Sequence, residues 1–168
     1  MNVGRRPGWA GVALRDNRSR VALGPAVGTH PWLVRAGHRH DLDRLLALPG
    51  VRVLLAARIL AETGDVRRFR PADAFAMFSG TAPIPASSGK TERMRPNRGG
   101  DRQLNRALHA MALIQGRRHD RAKAYLARKR AEGRTQRGAI RCLARKLARV
   151  VFEVLRRSTL ATADAFAA

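Results

Sequence analysis

Apolar residues recur at helical spacing from Asp41 onward, and this periodicity limits the possible folds more than any other feature of the chain. The apolar stripes are separated by residues that end helices, since Pro49-Gly50 follows the first stripe and Gly64-Asp65 follows the second. No segment alternates apolar and polar residues in the way that predicts a convincing strand. The pattern therefore predicts an all-α domain of several short helices and one long last helix.

The two ends of the chain stand outside this pattern. Residues 1–40 carry glycine, proline and arginine at irregular spacing, with two isolated tryptophans, Trp9 and Trp32, and no sustained period. We therefore expect residues 1–40 to be poorly ordered, residues 41–157 to form the folded domain, and residues 158–168 to be a tail.

Residues 41–65 predict two short helices joined by the turn Leu48-Pro-Gly-Val. The inward stripe of the second helix is expected to be Val53, Leu54, Ala57, Leu60 and Ala61. The pair resembles a helix-hairpin-helix, in which Gly50 would let backbone N–H groups approach a DNA phosphate. Arg52 adds a cation but stands where a second hairpin glycine is expected, so an ordinary helical corner is an equal alternative.

The stretch from Gly80 to Gly100 cannot be helical, because it holds Pro83, Pro85 and Pro96 among clustered glycine, serine, threonine and arginine. It reads as a long basic loop, and loops of this length in compact domains have a function or lack order. A short helix is expected before it, with Phe75 and Phe78 on one face.

Three helices are expected after this loop. Asp101 can cap the first, and the second should span residues 121–132 and end at Gly133. The expected inward residues of the first are Leu104, Leu108, Met111 and Ile114, and those of the third are Ile140, Leu143, Leu147, Val150, Val151 and Val154.

The charge of the chain is strongly unbalanced. Its 168 residues include 34 lysines and arginines but only 12 aspartates and glutamates, which gives a formal net charge of +22. Residues 89–158 hold 21 of the basic and 5 of the acidic side chains. Such an excess repels itself and favours a polyanionic partner, with nucleic acid the leading candidate. The alternative is that arginine solvates the outer faces of the helices.

Several classes of protein are excluded by composition. Cys142 is the single cysteine, so no intrachain disulfide can form, no structural zinc spacing is present, and a cytoplasmic location is expected. No apolar run is long enough for a membrane span or a secretory signal. The scattered acidic residues form no convincing set of Mg²⁺ ligands. Ser88-Gly-Lys-Thr is not a nucleotide-binding loop, because Ile84 stands where its first glycine would be.

Ser87 and Ser88 precede Gly89-Lys90 within the long loop. A serine oxygen on a flexible backbone can attack phosphorus when nearby cations stabilise charge on the non-bridging oxygens. The cations within reach by sequence are Lys90, Arg93, Arg95 and Arg98. Ser-Ser-Gly is also a common turn sequence, so a plain loop is the alternative.

A set of strings stands in order along residues 41–157. They are Leu48-Pro-Gly-Val, Ala57-Arg-Ile-Leu-Ala-Glu-Thr-Gly-Asp65, Arg68-Phe-Arg-Pro-Ala-Asp-Ala-Phe75, Gly80-Thr-Ala-Pro83, Ser87-Ser-Gly-Lys90 and Asn97-Arg-Gly-Gly-Asp-Arg-Gln-Leu-Asn-Arg-Ala-Leu108. Tyr125 and the turn from Lys129-Arg130 to Gly133 continue the series. Together they resemble the C-terminal transposase domain of the IS110/IS116/IS902 insertion-sequence transposases.

The resemblance implies a DNA transposase or recombinase in which a serine attacks a DNA phosphodiester. Ser88, directly before the loop glycine, matches the family nucleophile, and Ser87 is the alternative if the loop register differs by one residue. The residues expected to contact nucleic acid are Gly50, Arg52, Lys90, Arg93, Arg95, Arg98, Arg102 and Arg106.

The resemblance also implies partners outside this segment. Family members act as homo-oligomers, use an element-encoded guide RNA, and bind Mg²⁺ through acidic residues of an N-terminal RuvC-like domain. Residues 1–40 show no resemblance to any part of that domain. We therefore expect a truncated copy in the bacterial cytoplasm, at the nucleoid, that holds no cofactor and is inactive unless a full-length copy complements it. Two alternatives stay open: a helical nucleic-acid-binding module without chemistry, and an expressed remnant that folds poorly.

Overall fold

The computed structural model describes residues 39–86 and 94–166, and the side chains of residues 40–86 and 94–157. These residues are mostly helical, which confirms the predicted fold class. In chain order the elements are α1 (Arg39–Leu46), α2 (Val53–Thr63), a 3-10 turn (Val66–Arg68), α3 (Ala72–Phe78), β1 (Pro83–Pro85), β2 (Met94–Pro96), α4 (Arg102–Arg118), α5 (Asp120–Ala131) and α6 (Gln136–Phe166). Poor order was predicted for residues 1–40; residues 1–38 lie outside the described residues, whereas Arg39 and His40 already belong to α1. The expected tail is helical as far as Phe166.

The core forms around α6, which packs against α1, α3, α4 and α5. The face of α6 that carries Leu143, Leu147 and Val151 is buried, as the periodicity predicted. Leu104, Leu108 and Met111 of α4 are also buried, whereas Ile114 is 37% exposed and lies against the turn between α1 and α2. None of the helices within the described residues is long and apolar enough to cross a membrane.

The inward face of α2 differs from the predicted one. The buried residues are Ala56, Ile59, Leu60 and Thr63, and Leu54, which was expected inside, is 83% exposed. This helix is apolar on almost every side, so its spacing fits more than one stripe. The buried face of α2 is determined by its packing against α4 and α1, and this packing cannot be predicted from the spacing of apolar residues within α2.

A two-stranded antiparallel sheet occupies part of the stretch that was expected to be a loop. β1 pairs with β2 so that Pro83 lies opposite Pro96 and Ile84 lies opposite Arg95. The prolines hid these strands from sequence analysis, because proline cannot donate to a β-ladder. A two-stranded sheet consists only of edges, where proline is tolerated. Residues 83–96 therefore form a hairpin whose stem is described and whose tip, residues 87–93, lies outside the described residues.

Candidate nucleic-acid interface

The hairpin stem is fixed to the C-terminal end of α3 by hydrogen bonds from the chain that follows β2. The Nδ2 of Asn97 donates to the carbonyl of Met77 at 2.9 Å, and the backbone N–H of Asp101 donates to the carbonyl of Phe78 at 2.7 Å. The last carbonyls of an α-helix have no partner within the helix, so these donors complete α3. The same bonds tie the stem to α3 and to the start of α4.

A second set of bonds closes the chain reversal after α3. The Nδ2 of Asn105, on the first turn of α4, donates to the carbonyl of Ser79 at 2.9 Å. Ser79 is buried, and its hydroxyl donates to the carbonyl of Ala76 at 3.2 Å. The hydroxyl oxygen of Thr81 lies 3.0 Å from the hydroxyl oxygen of Ser79. Buried polar groups that are satisfied in this way specify one local arrangement of the backbone.

Two glycines allow the backbone segments at the foot of the stem to touch. Gly80 has a φ of 66°, a conformation that favours glycine. A Cβ on Gly100 would overlap the backbone nitrogen and Cα of Gly80 and would lie 2.8 Å from the carbonyl oxygen of Phe78. Because all of these are backbone atoms, a side chain at Gly100 could be accommodated only by opening the contact.

The predicted serines and two of the predicted cations fall at the tip of this hairpin. Ser87, Ser88, Lys90 and Arg93 lie outside the described residues. The stem nevertheless fixes where the chain leaves and returns, because Pro85 at the end of β1 pairs with Met94 at the start of β2. The segment that contains both serines therefore begins and ends at the same end of a stem anchored to two helices.

Four of the predicted basic residues are described and lie in β2 or close to it. Arg95 is in β2, Arg98 follows that strand, and Arg102 and Arg106 lie on the first two turns of α4, and all four are exposed. α4 contains no acidic residue, and the Asp101 side chain that caps it accepts a hydrogen bond from the backbone N–H of Leu104 at 2.6 Å. The structure thus brings these four arginines to the part of the molecule that holds the stem.

The turn between α1 and α2 lies elsewhere. The Nε2 of Gln115 donates to the carbonyl of Pro49 at 2.7 Å, and a Cβ on Gly50 would lie 2.7 Å from the Cγ2 of Ile114. The turn therefore packs against the C-terminal half of α4, about 20 Å along the helix axis from Arg102 at a rise of about 1.5 Å per residue. Gly50, with a φ of 77°, is explained by this packing, and its contact with a phosphate, like that of the exposed Arg52, stays a prediction.

Several carboxylates of the described residues are paired with cations. Arg149 and Arg145 of α6 lie 2.7 and 3.4 Å from the Oδ1 of Asp73, and the Arg149 guanidinium holds the pKa of that carboxyl below its ordinary value. Lys129 lowers the pKa of Glu132 in the same way, since its Nζ lies 2.6 Å from the Oε2 of Glu132. Within residues 39–86 and 94–166 there is no group of three histidine, cysteine, aspartate or glutamate residues that could hold a metal ion. The described residues therefore do not fit a magnesium centre.

A basic cluster around Tyr125 was not predicted as part of the interface. The half-buried ring has the Lys146 Nζ 5.1 Å, the Arg128 Cζ 5.3 Å and the Lys129 Nζ 5.8 Å from its centroid. Burial and the two neighbouring cations lower the pKa of Lys146. Helical spacing on α5 could have indicated that Arg128 and Lys129 lie beside Tyr125, because they follow it by three and four residues. Lys146 belongs to α6, and only the packing of α6 against α5 places it near the ring.

The fold and this surface define a small, strongly basic helical domain with a proline-flanked hairpin held between two helices. Residues 42–127, half of the chain, match the family model described as the transposase IS116/IS110/IS902 family. The chain belongs to this family of insertion-sequence transposases.

Curated relatives agree with the family model. The chain is 38% identical over 152 residues to the insertion element IS900 uncharacterized 42 kDa protein of Mycobacterium paratuberculosis, covering 88% of this chain and 38% of the relative. It is 37% identical over 122 residues to the insertion element IS110 uncharacterized 43.6 kDa protein of Streptomyces coelicolor, covering 71% and 30%. It is 30% identical over 147 residues to the insertion element IS116 uncharacterized 44.8 kDa protein of Streptomyces clavuligerus, covering 84% and 36%.

The chain thus spans less than two fifths of the length of these relatives. The first of the three alignments is also longer than the segment 41–157 that carries the motifs, so the likeness to the family is not confined to that segment.

Proposed function

We propose that this chain is the DNA-binding and serine-presenting part of an insertion-sequence transposase. The observation that carries the proposal is the anchored hairpin stem, which ties the foot of the serine segment to α3 and α4 through Asn97, Asp101 and Asn105. Positioning a nucleophile within a fraction of an ångström contributes strongly to catalysis, and a stem bonded to two helices is suited to it.

The proposed chemistry takes place at the hydroxyl of Ser88. Its oxygen forms a bond to a phosphorus of the DNA backbone, and the bond from that phosphorus to one sugar oxygen breaks. The proton of the serine ends on the sugar oxygen that leaves, so the products are a phosphoserine ester and a free sugar hydroxyl. Ser87 takes this role if the loop register differs by one residue.

The exposed arginines near the stem are proposed to hold the DNA backbone on either side of that phosphorus. Arg95, Arg98, Arg102 and Arg106 carry guanidinium groups that suit phosphate oxygens. Arg102 also stands at the positive end of the α4 dipole, where a cation is unfavourable and an anionic ligand is favourable. Lys90 and Arg93 are proposed to contribute from the tip of the hairpin.

Metal chemistry is proposed to come from residues other than those described. Because the described carboxylates do not fit a magnesium centre, we propose that this chain alone neither cleaves nor joins DNA. An acidic domain of a full-length copy would complement it, in an oligomer that an element-encoded guide RNA also binds.

The second candidate is a helical DNA-binding module without chemistry. Its support is the set of exposed arginines in β2 and α4, which can hold phosphates whether or not a serine reacts.

A complemented transposition assay separates the two functions. The chain is supplied with a full-length copy whose own serine has been replaced, and the variants Ser88→Ala and Ser87→Ala serve as the test and its matched neighbour. The proposed function predicts that Ser88→Ala abolishes transposition while Ser87→Ala retains it, with DNA binding unchanged in both. Full transposition by both variants would leave only the binding module.

A further inference from the structure

Arg68, at the end of the 3-10 turn, lies over two aromatic rings that contact each other. Its guanidinium carbon lies 4.6 Å from the ring centroid of Phe69 and 4.4 Å from that of Phe78. The two rings lie 5.1 Å apart with an interplanar angle of 45°. Arg68 itself is exposed, so the contacts fix the guanidinium without removing it from solvent.

The carboxylates closest to Arg68 along the chain are occupied by other arginines. Asp65 bonds to Arg67, whose Nη2 lies 2.8 Å from it and whose backbone N–H donates to it at 2.9 Å. Asp73 is bridged to Arg149 and Arg145 on α6. The contacts described for the Arg68 guanidinium are instead with rings, which leave the N–H donors at its edge available for an anion.

The position of Arg68 places it beside the anchored stem. Phe78, one of its two stacking partners, is the last residue of α3, and its carbonyl accepts the hydrogen bond from the N–H of Asp101. Phe69 and Phe75 pack edge to face with ring centroids 5.4 Å apart, and Phe75 is fully buried. The guanidinium therefore lies at the junction of α3, the hairpin stem and the start of α4, which the hydrogen bonds from Asn97 and Asp101 hold together.

We propose that Arg68 binds a phosphodiester of the DNA backbone, as a cation that Phe69 and Phe78 hold in position before DNA arrives. The inference rests on the proposed DNA-binding function and adds a contact that the sequence motifs did not assign. A planar guanidinium offers two parallel N–H donors that match two phosphate oxygens. Because stacking has already restricted the side chain, less conformational freedom is lost when the phosphate binds.

The test compares Arg68→Gln with Arg67→Gln in the full chain. Both residues are exposed arginines of one short turn, but Arg67 is paired with Asp65. The affinity for a duplex DNA is measured by fluorescence anisotropy from low to moderate salt. We expect Arg68→Gln to weaken binding about three- to tenfold and to reduce the salt slope by about one. Arg67→Gln should change affinity less than about twofold, and Arg68→Lys should keep the salt slope and lose part of the affinity.

The salt slope separates phosphate binding from a purely structural role of Arg68, because loss of packing alone does not remove a counterion-releasing contact. Thermal melting of each variant shows whether it is folded, and if Arg68→Gln does not fold, Arg68→Met, which can still contact both rings, replaces it. Equal salt slopes for wild type and the folded Arg68→Gln or Arg68→Met variant would overturn the inference and leave the proposed function intact. A loss confined to binding of a structured RNA would also overturn the assignment to DNA. A wild-type chain without salt-dependent DNA binding would refute both.

Discussion

The contact between Gly80 and Gly100 makes a specific prediction about the foot of the hairpin. In Gly100→Ala, the new methyl group would overlap the backbone of Gly80 and lie 2.8 Å from the carbonyl oxygen of Phe78. None of these atoms belongs to a flexible side chain, so the two backbone segments must separate. Separation also stretches the hydrogen bond of 2.7 Å from the Asp101 N–H to the carbonyl of Phe78, which ties the end of α3 to the start of α4.

The size of the effect follows from these two losses. Overpacking of a tight contact costs about 1–3 kcal/mol, and loss of the hydrogen bond costs about 1 kcal/mol more. The free energy of unfolding should therefore fall by about 2–4 kcal/mol. In a domain of this length each 1 kcal/mol shifts the melting temperature by roughly 2–4 °C, so a drop of about 5–15 °C is expected.

Gly99→Ala is the matched control, because a Cβ there meets only the Oδ1 of Asn97, at an ordinary 3.5 Å. Circular dichroism melting of both variants measures stability, and the complemented transposition assay measures whether the serine segment is still positioned. We expect Gly100→Ala to lose stability and transposition together, with Gly99→Ala close to wild type in both. Equal melting temperatures for the two variants would refute the reasoning from the Gly80 contact.

Two further predictions concern the packing around the interface. Because Arg149 lowers the pKa of Asp73, this ion pair stabilises the folded state at pH values above the ordinary carboxyl pKa, and the stabilisation is lost as the pH falls through the lowered pKa. The melting temperature of Asp73→Asn should therefore fall less on acidification than that of wild type. Parallel curves of melting temperature against pH for the two proteins would contradict this. In Gln115→Ala the carbonyl of Pro49 loses the partly buried hydrogen bond of 2.7 Å from Nε2, so the melting temperature should fall by an amount that corresponds to about 0.5–1.5 kcal/mol. If the turn that carries Gly50 contacts phosphate, as the sequence predicts, the DNA salt slope should also fall in Gln115→Ala, and an unchanged slope would contradict that contact.

Most of the helical fold could be predicted from the sequence, because local chemistry determines where these helices begin and end. Asp101 caps α4 as expected, and Gly133, with a φ of 80°, follows the end of α5. Most of the buried face of α4 and of α6 was predictable because their apolar stripes are narrow, although Ile114 of α4 was expected inside and is exposed. The face of α2 was not, since Leu54 and Ile59 are equally apolar and only packing against α4 distinguishes them.

The residues of the candidate site could be named from the sequence, but their arrangement around the hairpin stem could not be predicted from it. The hairpin stem was hidden by Pro83, Pro85 and Pro96, whose effect depends on the strands being edges. The bond from Asn105 to Ser79 joins residues 26 positions apart, and no periodicity indicates such a pair. The role of Arg68 could not be predicted from the sequence, where it is only the first residue of one family string. Its stacking on Phe78 depends on how the 3-10 turn packs against α3.

The central claim is that the serine oxygen at position 88 forms a covalent bond to DNA, and mass spectrometry of trapped protein–DNA adducts tests it most directly. The chain is combined with a full-length copy whose own serine has been replaced, so that any serine adduct must arise from this chain. A phosphoester on Ser88 in that mixture, with none when the chain is incubated alone with DNA and Mg²⁺, is the predicted result. Transposition without any adduct, or an adduct formed by the isolated chain, would contradict the account.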